Sequence, residues 1–422
     1  MGSRMCRTAW LAAVVLVSAF VTARAEEFFF KDGDSVVIIG DSITEQHLYS
    51  NYVEMWTVSR FPKWKITFRN SGIGGDTSGG GNGRFKRDVV VHKASALTVD
   101  FGMNDGGYSA FEPNRYKNYM NGLQGMANQA KAANIRVAWL TPSPVEKGEE
   151  GPALKGYNET LEKYSEGVAE IAQKNEGLFV DQFHPFVALQ DKARAENPKN
   201  RIGGGDAVHP GPAGQAVMAW GILKGLHFPA LVSAAEIDAA GSKVLKAENC
   251  EVSGLAAKEG GITFQRLDAA LPFFPKEAKA ILKWAPLELE LNNYTLKVTG
   301  LKDGQYEVQV DGQKICEQTA AELAAGVNLA AAALASGPIA EQVKTVWNAV
   351  VNKNKVYHDQ IFGGLVRAPG VPDWLEIPAA ELEAKKQAAM EKRMAKVLEL
   401  DAAIRKSLEM KPHQFDILPA KK

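Results

Sequence analysis

Val36-Val37-Ile38-Ile39 running into Gly40-Asp41-Ser42-Ile43-Thr44 is the stretch on which the fold turns. Four β-branched residues in a row, with no polar residue among them, fit a strand covered on both faces. The glycine, aspartate and serine that follow end the run and set polar groups at the strand's carboxyl end. The arrangement recurs downstream. Lys65–Asn70, Ala96–Phe101, Ile135–Leu140 and Leu178–Asp181 are short and rich in Val, Ile, Phe or Leu. Amphipathic segments near 47–60, 82–93, 115–133, 156–175 and 212–226 lie between and after them. Strand and helix in alternation predict a parallel sheet wrapped by helices.

Beyond about residue 240 the pattern changes. Tyr294–Thr299 and Gln305–Val310 alternate apolar with polar residues, and Asp311-Gly312 is a hairpin signal leading into Gln313–Cys316. From about Ala320 the chain is rich in Ala, Glu and Lys and reads as helical. There Met390, Met394, Val397, Ile404 and Leu408 form one stripe, interrupted by Asp401, which we expect to dock on the same chain rather than to dimerise. The expected division is therefore an α/β domain over 26–235, a β-rich module over 236–317 and an α-helical C-terminal region over 318–422.

Residues 1–25 read as a secretory signal. Arg4 and Arg7 precede an apolar stretch from Trp10 to Val21, and Ala23-Arg24-Ala25 offers a small-x-small cleavage site. The stretch is shorter than the ~20 apolar residues a bilayer requires, and no later segment is a candidate span. The expectation is cleavage after Ala25 and a secreted or periplasmic protein. Of the three cysteines, Cys6 would leave with the signal. Cys250 and Cys316 would remain, either paired or as two free buried thiols.

Composition narrows the field. With 422 residues, 45% hydrophobic and 23% charged, the chain is ordinary globular protein, not a disordered or collagenous one. Its 49 Lys plus Arg balance 49 Asp plus Glu, so it lacks the basic excess of a protein that binds nucleic acid phosphates.

In an open parallel sheet ligands bind beyond the carboxyl ends of the strands, and the residues there form a set. The first strand is followed by Ser42, and the second by Asn70-Ser71-Gly72-Ile73-Gly74-Gly75-Asp76-Thr77. The third is followed by Gly102-Met103-Asn104-Asp105, and Asp206-Ala207-Val208-His209-Pro210 opens the final helix. These parts suffice for acyl transfer. A serine hydroxyl needs a base, and neutral imidazole is the usual one. His209 can serve while Asp206, three residues earlier, holds its other nitrogen. The backbone N–H groups of Ser42 and Gly75 and the Asn104 side-chain amide can receive the oxyanion.

At these four blocks the chain resembles the SGNH (GDSL-type) hydrolases. Gly-Asp-Ser42, Gly75-Asp-Thr, Gly-Met-Asn104-Asp and Asp206-x-x-His209-Pro stand in the family's order over residues 34–228. The resemblance implies a flavodoxin-like α/β sheet with helices on both faces, an ester-hydrolysing activity and no cofactor. It implies Ser42 as nucleophile, His209 as base, Asp206 as the orienting acid, and Ser42, Gly75 and Asn104 as the oxyanion hole. Of the Gly74-Gly75 pair we choose the one preceding Asp76-Thr77.

Competing readings of the same residues are weaker. Asp181-Gln182-Phe183-His184-Pro185 repeats the Asp-x-x-His-Pro pattern, but lacks the Gly203-Gly204-Gly205 run and the Pro/Gly-started helix that frame Asp206 and His209. The seven glycines between Gly72 and Gly83 are not a phosphate loop, because Arg84 follows where Lys-Ser/Thr is required. Asp41, Asp76, Asp105 and Asp206 match no metal-binding spacing, and the remaining histidines are scattered. An exported address without a hydrophobic lid signal favours a small acyl group, such as acetyl on a carbohydrate. A lipase or lysophospholipase, and a non-catalytic binding protein on the same fold, are the alternatives. The oligomeric state is not legible.

Overall fold

The computed structural model describes residues 26–148, 154–368, 371–372, 374 and 376–421. The expected signal segment, its cleavage site and Cys6 lie outside the described residues.

The N-terminal half alternates as its sequence predicts. In chain order it runs β1 (Ser35–Gly40), α1 (Ser42–Glu45), α2 (Leu48–Arg60), β2 (Thr67–Gly72), α3 (Ser78–Asp88), β3 (Ala96–Asp100), α4 (Pro113–Ala132), β4 (Arg136–Leu140), α5 (Tyr157–Lys174), β5 (Leu178–Val180), α6 (Phe183–Glu196) and α7 (Pro212–Gly225). The five strands pair in parallel in the order β2-β1-β3-β4-β5, which is the flavodoxin-like order. The unbroken apolar run of β1 has a direct cause. Val36 and Ile38 enter the core on one sheet face with α2, α6 and α7, while Val37 and Ile39 enter a second core with α3 and α4. Successive strand residues point to opposite faces, so a strand covered on both sides favours an unbroken apolar run. Helix α6 was not anticipated; it begins at Phe183 within the second Asp-x-x-His-Pro block.

The β-rich part forms two sheets. Strands β6 (Leu231–Asp238), β7 (Lys243–Glu248), β8 (Cys250–Lys258) and β9 (Gly261–Asp268) come first. The short helix α8 (Leu287–Leu291), then β10 (Asn293–Thr299), β11 (Gln305–Val310), β12 (Gln313–Thr319), α9 (Ala320–Ala325) and β13 (Val327–Asn328) follow. Helices α10 (Ala330–Ala335), α11 (Pro338–Tyr357) and α12 (Ala379–Ser407) fill the C-terminal region, and β14 (His413–Pro419) ends it. One sheet has the order β13-β10-β6-β7 and the other β12-β11-β14-β9-β8. Four strands therefore depart from the expected divisions. β6 starts before 236, β12 runs past 317, and β13 and β14, inside the region read as helical, join the edge of the first sheet and the middle of the second.

That sheet decides the cysteine question. Cys250 is on β8 and Cys316 on β12, at opposite edges, and both thiols are free. Four inter-strand steps of about 4.8 Å separate them, far beyond the reach of a disulfide.

The stripe on α12 docks on the chain itself. Val397 and Ile404 are buried, and Met390 and Met394 pack on a cluster of Tyr357, Ile361, Phe362 and Val397. Asp401, the break in the stripe, meets Arg69 of β2 at 2.6 Å, with side chains only 4% and 3% exposed. Lys353 of α11 joins the same polar core, 2.8 Å from Glu54 of α2 and 3.9 Å from Asp401. No described helix is long and apolar enough to cross a membrane.

Candidate active site

Strand order alone locates the site. From β1 the chain moves outward to β2, then returns to β3 on the other side of β1. The loops after β1 and β3 therefore diverge and open a crevice at the carboxyl ends. Ser42 stands there as the first residue of α1, where Asp41 caps the turn by accepting from the Ile43 N–H at 2.9 Å. Ser42 Oγ lies 2.8 Å from His209 Nε2. His209 Nδ1 lies 3.0 Å from Asp206 Oδ2, while Asp206 Oδ1 accepts from the His209 and Val208 backbone N–H groups at 2.6 and 2.7 Å. A proton on Nδ1, facing the carboxylate, leaves Nε2 as a lone pair aimed at the serine hydroxyl. Partial burial pushes the Asp206 carboxyl up, but the two N–H donors and the imidazole outweigh it and hold it below its usual range.

Two matching Asp-x-x-His turns now separate by what they face. His184 Nδ1 also meets its aspartate, Asp181, at 2.8 Å, yet its Nε2 points to Glu162 at 3.7 Å and the pair is solvent-exposed. His209 is the histidine brought to Ser42.

The histidine loop is held by groups that local sequence does not announce. Gln215, fully buried at the start of α7, accepts from the Tyr49 N–H at 2.9 Å and donates to Gln46 Oε1 and to Pro210 O. It ties the loop to the segment just after Ser42. Glu146 donates its backbone N–H to Ala207 O at 2.8 Å, and its buried carboxylate accepts from the Gly203 N–H. The run Gly203-Gly204-Gly205 is required by contact: a Cβ on Gly205 would sit 1.9 Å from His209 O.

The other two loops carry the remaining expected donors, Gly75 and Asn104. Gly75 has φ of +71°, a left-handed conformation that favours glycine. The Gly74 N–H is already taken, donating to Glu45 Oε2 at 2.6 Å. Among the described residues the Gly75 N–H has no internal acceptor. Asn104 uses one amide hydrogen on Asp76 O at 2.9 Å, while its Oδ1 accepts from Tyr108 Oη at 2.6 Å. The tyrosine thereby fixes which end of the amide is the donor, and leaves the second N–H available. Tyr108, at φ of +56°, carries no motif and was not anticipated.

The other aspartates have definite work. Asp76 pairs with Arg84 at 2.7 Å, and Arg84 also donates to Gly40 O and Ser71 O, clamping the ends of β1 and β2. Asp105 accepts from the Ser78 backbone N–H and hydroxyl at the start of α3, and burial pushes its carboxyl up to about 6. Burial pushes Asp100, beneath the crevice, up to about 7, and holds Asp41 well above its ordinary value. A cavity of about 290 Å³ opens beside Asn104, lined by Thr77, Gly79, Asp105, Gly107, Arg115 and Asn118.

Fold and site meet in the comparisons. Residues 38–217 match the profile of the GDSL-like lipase/acylhydrolase family; this part of the chain is similar to the SGNH-type hydrolases, and the protein is an ester-hydrolysing enzyme. Among solved structures it is similar to BT4096, described as a gut microbial diltiazem-metabolizing enzyme, at 27% identity and a TM-score of 0.80, over 93% of this chain and 98% of that one. It is also similar to Axe2, an acetylxylan esterase from Geobacillus stearothermophilus, at 24% identity and a TM-score of 0.40, over 47% of this chain and 97% of that one. No curated protein matches the chain.

Proposed function

We propose that the chain is an exported serine esterase working through Ser42, His209 and Asp206. The carrying observation is the 2.8 Å approach of Ser42 Oγ to His209 Nε2, across 167 residues of sequence. His209 takes the hydroxyl proton as the oxygen attacks the ester carbonyl. The carbonyl oxygen gains negative charge and is received by the N–H groups of Ser42 and Gly75 and the amide of Asn104. His209 then gives the proton to the departing alcohol, leaving an acyl group on Ser42. Water enters, loses a proton to the same nitrogen and releases the acid. Asp206 holds the imidazole in the tautomer that both half-reactions need. Export rests on the charged, apolar and small-residue regions of the first 25 residues.

The cavity beside Asn104 supports a small, polar ester as substrate. Its lining of Thr77, Asp105, Arg115 and Asn118 suits hydroxyl-bearing groups, such as an acetylated carbohydrate, and gives a long hydrocarbon tail little to bury against. A small-molecule substrate also accords with the drug-metabolizing description of the full-length neighbour.

The test is hydrolysis of a short-chain aryl ester by the wild-type chain and Ser42→Ala, with fluorophosphonate labelling alongside. We expect labelling at Ser42 and its loss, with activity, in the variant; full activity in Ser42→Ala overturns the reading. Acetate release from acetylated polysaccharide, set against long-chain lipid esters, separates a carbohydrate esterase from a lipase.

A further inference from the structure

The loop that carries Gly75 leans on the C-terminal helical region, and it does so at two points. Its Ile73 side chain packs against the apolar cluster of Tyr357, Ile361, Phe362 and Val397, all contributed by the C-terminal region. One residue later, the Gly74 N–H donates to Glu45 Oε2 at 2.6 Å, and the other oxygen of the same carboxylate accepts from Arg367 Nη1. Glu45 lies on the one-turn helix that begins at Ser42, so a single carboxylate connects the serine's helix, the glycine loop and a residue more than 300 positions away. Arg367 is itself steadied by its backbone N–H, which donates to Phe362 O at 2.9 Å.

We propose that Glu45 and Arg367 are positioning residues that set the direction of the Gly75 N–H, so that the C-terminal helical region is a working part of the esterase site. The inference rests on the reading of Gly75 as an oxyanion donor. The physical argument is one of aim. The peptide units at Ile73, Gly74 and Gly75 are successive, so anchoring the first by packing and the second by a charged acceptor leaves the third little freedom. A donor must point at where charge will develop before the reaction starts. A displacement of about 1 Å at a catalytic group is enough to cost on the order of 10²-fold in rate. The Glu45–Arg367 pair is partly exposed, with side chains 27% and 34% accessible, so it adds little to stability. Its effect on catalysis is thereby separable from its effect on folding.

The experiment measures kcat, KM and thermal midpoint for Arg367→Ala, Arg367→Lys and Glu45→Gln, with affinity for an alkyl boronic acid, which forms a tetrahedral adduct on the serine. Ser42→Ala is run beside them. For Arg367→Ala we expect kcat to fall about tenfold, less than the roughly 10²–10³ for a donor removed outright. KM should stay within about twofold, boronate affinity should fall in step with kcat, and Arg367→Lys should recover most of the loss. Glu45→Gln keeps an oxygen for Gly74 but drops the charge facing Arg367, and should resemble Arg367→Ala even if that variant proves hard to fold. Wild-type kcat in Arg367→Ala and Glu45→Gln, or a rise in KM alone, overturns the strut. An inactive Ser42→Ala in that case leaves the esterase reading standing; an active one removes both.

Discussion

Tyr108 donates its phenolic hydrogen to Asn104 Oδ1 at 2.6 Å, and this bond, with the one the amide donates to Asp76 O at 2.9 Å, sets which end of the amide is the donor. An asparagine side chain has nearly the same shape with its oxygen and nitrogen exchanged, so orientation must come from a partner. Tyr108→Phe keeps the ring contact with Tyr157 and removes only that bond. We expect kcat to drop about tenfold with KM little changed, a fraction of the 10²–10³ typical of a lost donor. Steady-state kinetics on an aryl ester check it; an unchanged kcat would show that the bond to Asp76 O alone orients the amide.

Gly205→Ala tests the histidine loop. The added methyl group would meet His209 O at 1.9 Å and the Gly211 N at 2.8 Å. Neither is a flexible side-chain tip, so the loop must move and carry the imidazole with it. Activity should fall on the order of 10²-fold while circular dichroism stays that of the wild type. Retention of activity would mean that the loop relaxes without moving the ring.

The Arg69–Asp401 pair predicts stability rather than catalysis. Both side chains are almost wholly buried, and Lys353 lies 3.9 Å from the same carboxylate. Asp401→Ala strands a guanidinium in the interior, which costs about 3–5 kcal/mol. Arg69→Met combined with Asp401→Leu removes both charges and should regain most of it. Urea denaturation followed by tryptophan fluorescence reads the difference, and a double variant as unstable as the single would refute the stranded-charge account.

Asp100 links stability to pH. Burial raises its carboxyl from an ordinary 3.8 to about 7, so between those values the native chain holds a proton that the unfolded chain has released. Stability from this group is complete below about pH 4 and is lost as pH rises through 7. Asp100→Asn cannot ionise and still has an oxygen for the Gln182 amide, which donates to Asp100 at 3.1 Å. The thermal midpoint of the variant should exceed that of the wild type at pH 8 and match it near pH 4.5. An equal difference at both values would point away from ionisation.

What sequence could disclose followed from range of interaction. Val36–Ile39 and the other core strands are visible because burial on both faces forces a local apolar run. Ser42 and Asn104 are visible because each sits just past such a run, and the Asp206–His209 turn because its Asp-x-x-His-Pro pattern leads into a helix. Tyr108, Glu146 and Arg84 leave no such trace. Their partners are Asn104, Gly203 and the ends of β1 and β2, reached through space, and a tyrosine, a glutamate or an arginine in a loop or short helix looks the same whether it holds one or faces water. Helix α6 is masked because its first turn, Phe183-His184-Pro185, reads as a turn or site motif. β14 is hidden for the opposite reason: seven residues after a long helix need a distant sheet to make a strand of them.

The position of β14 also orders events during synthesis. It pairs with β11 on one side and β9 on the other, so until residues 413–419 leave the ribosome both neighbours present unsatisfied backbone edges, a hazard for association with other nascent chains. A chain that stalls or is clipped before that point would have a complete parallel sheet and a β-rich module split down its middle. Without residues 413–419 this sheet would fall into two unconnected hairpins, β8–β9 and β11–β12.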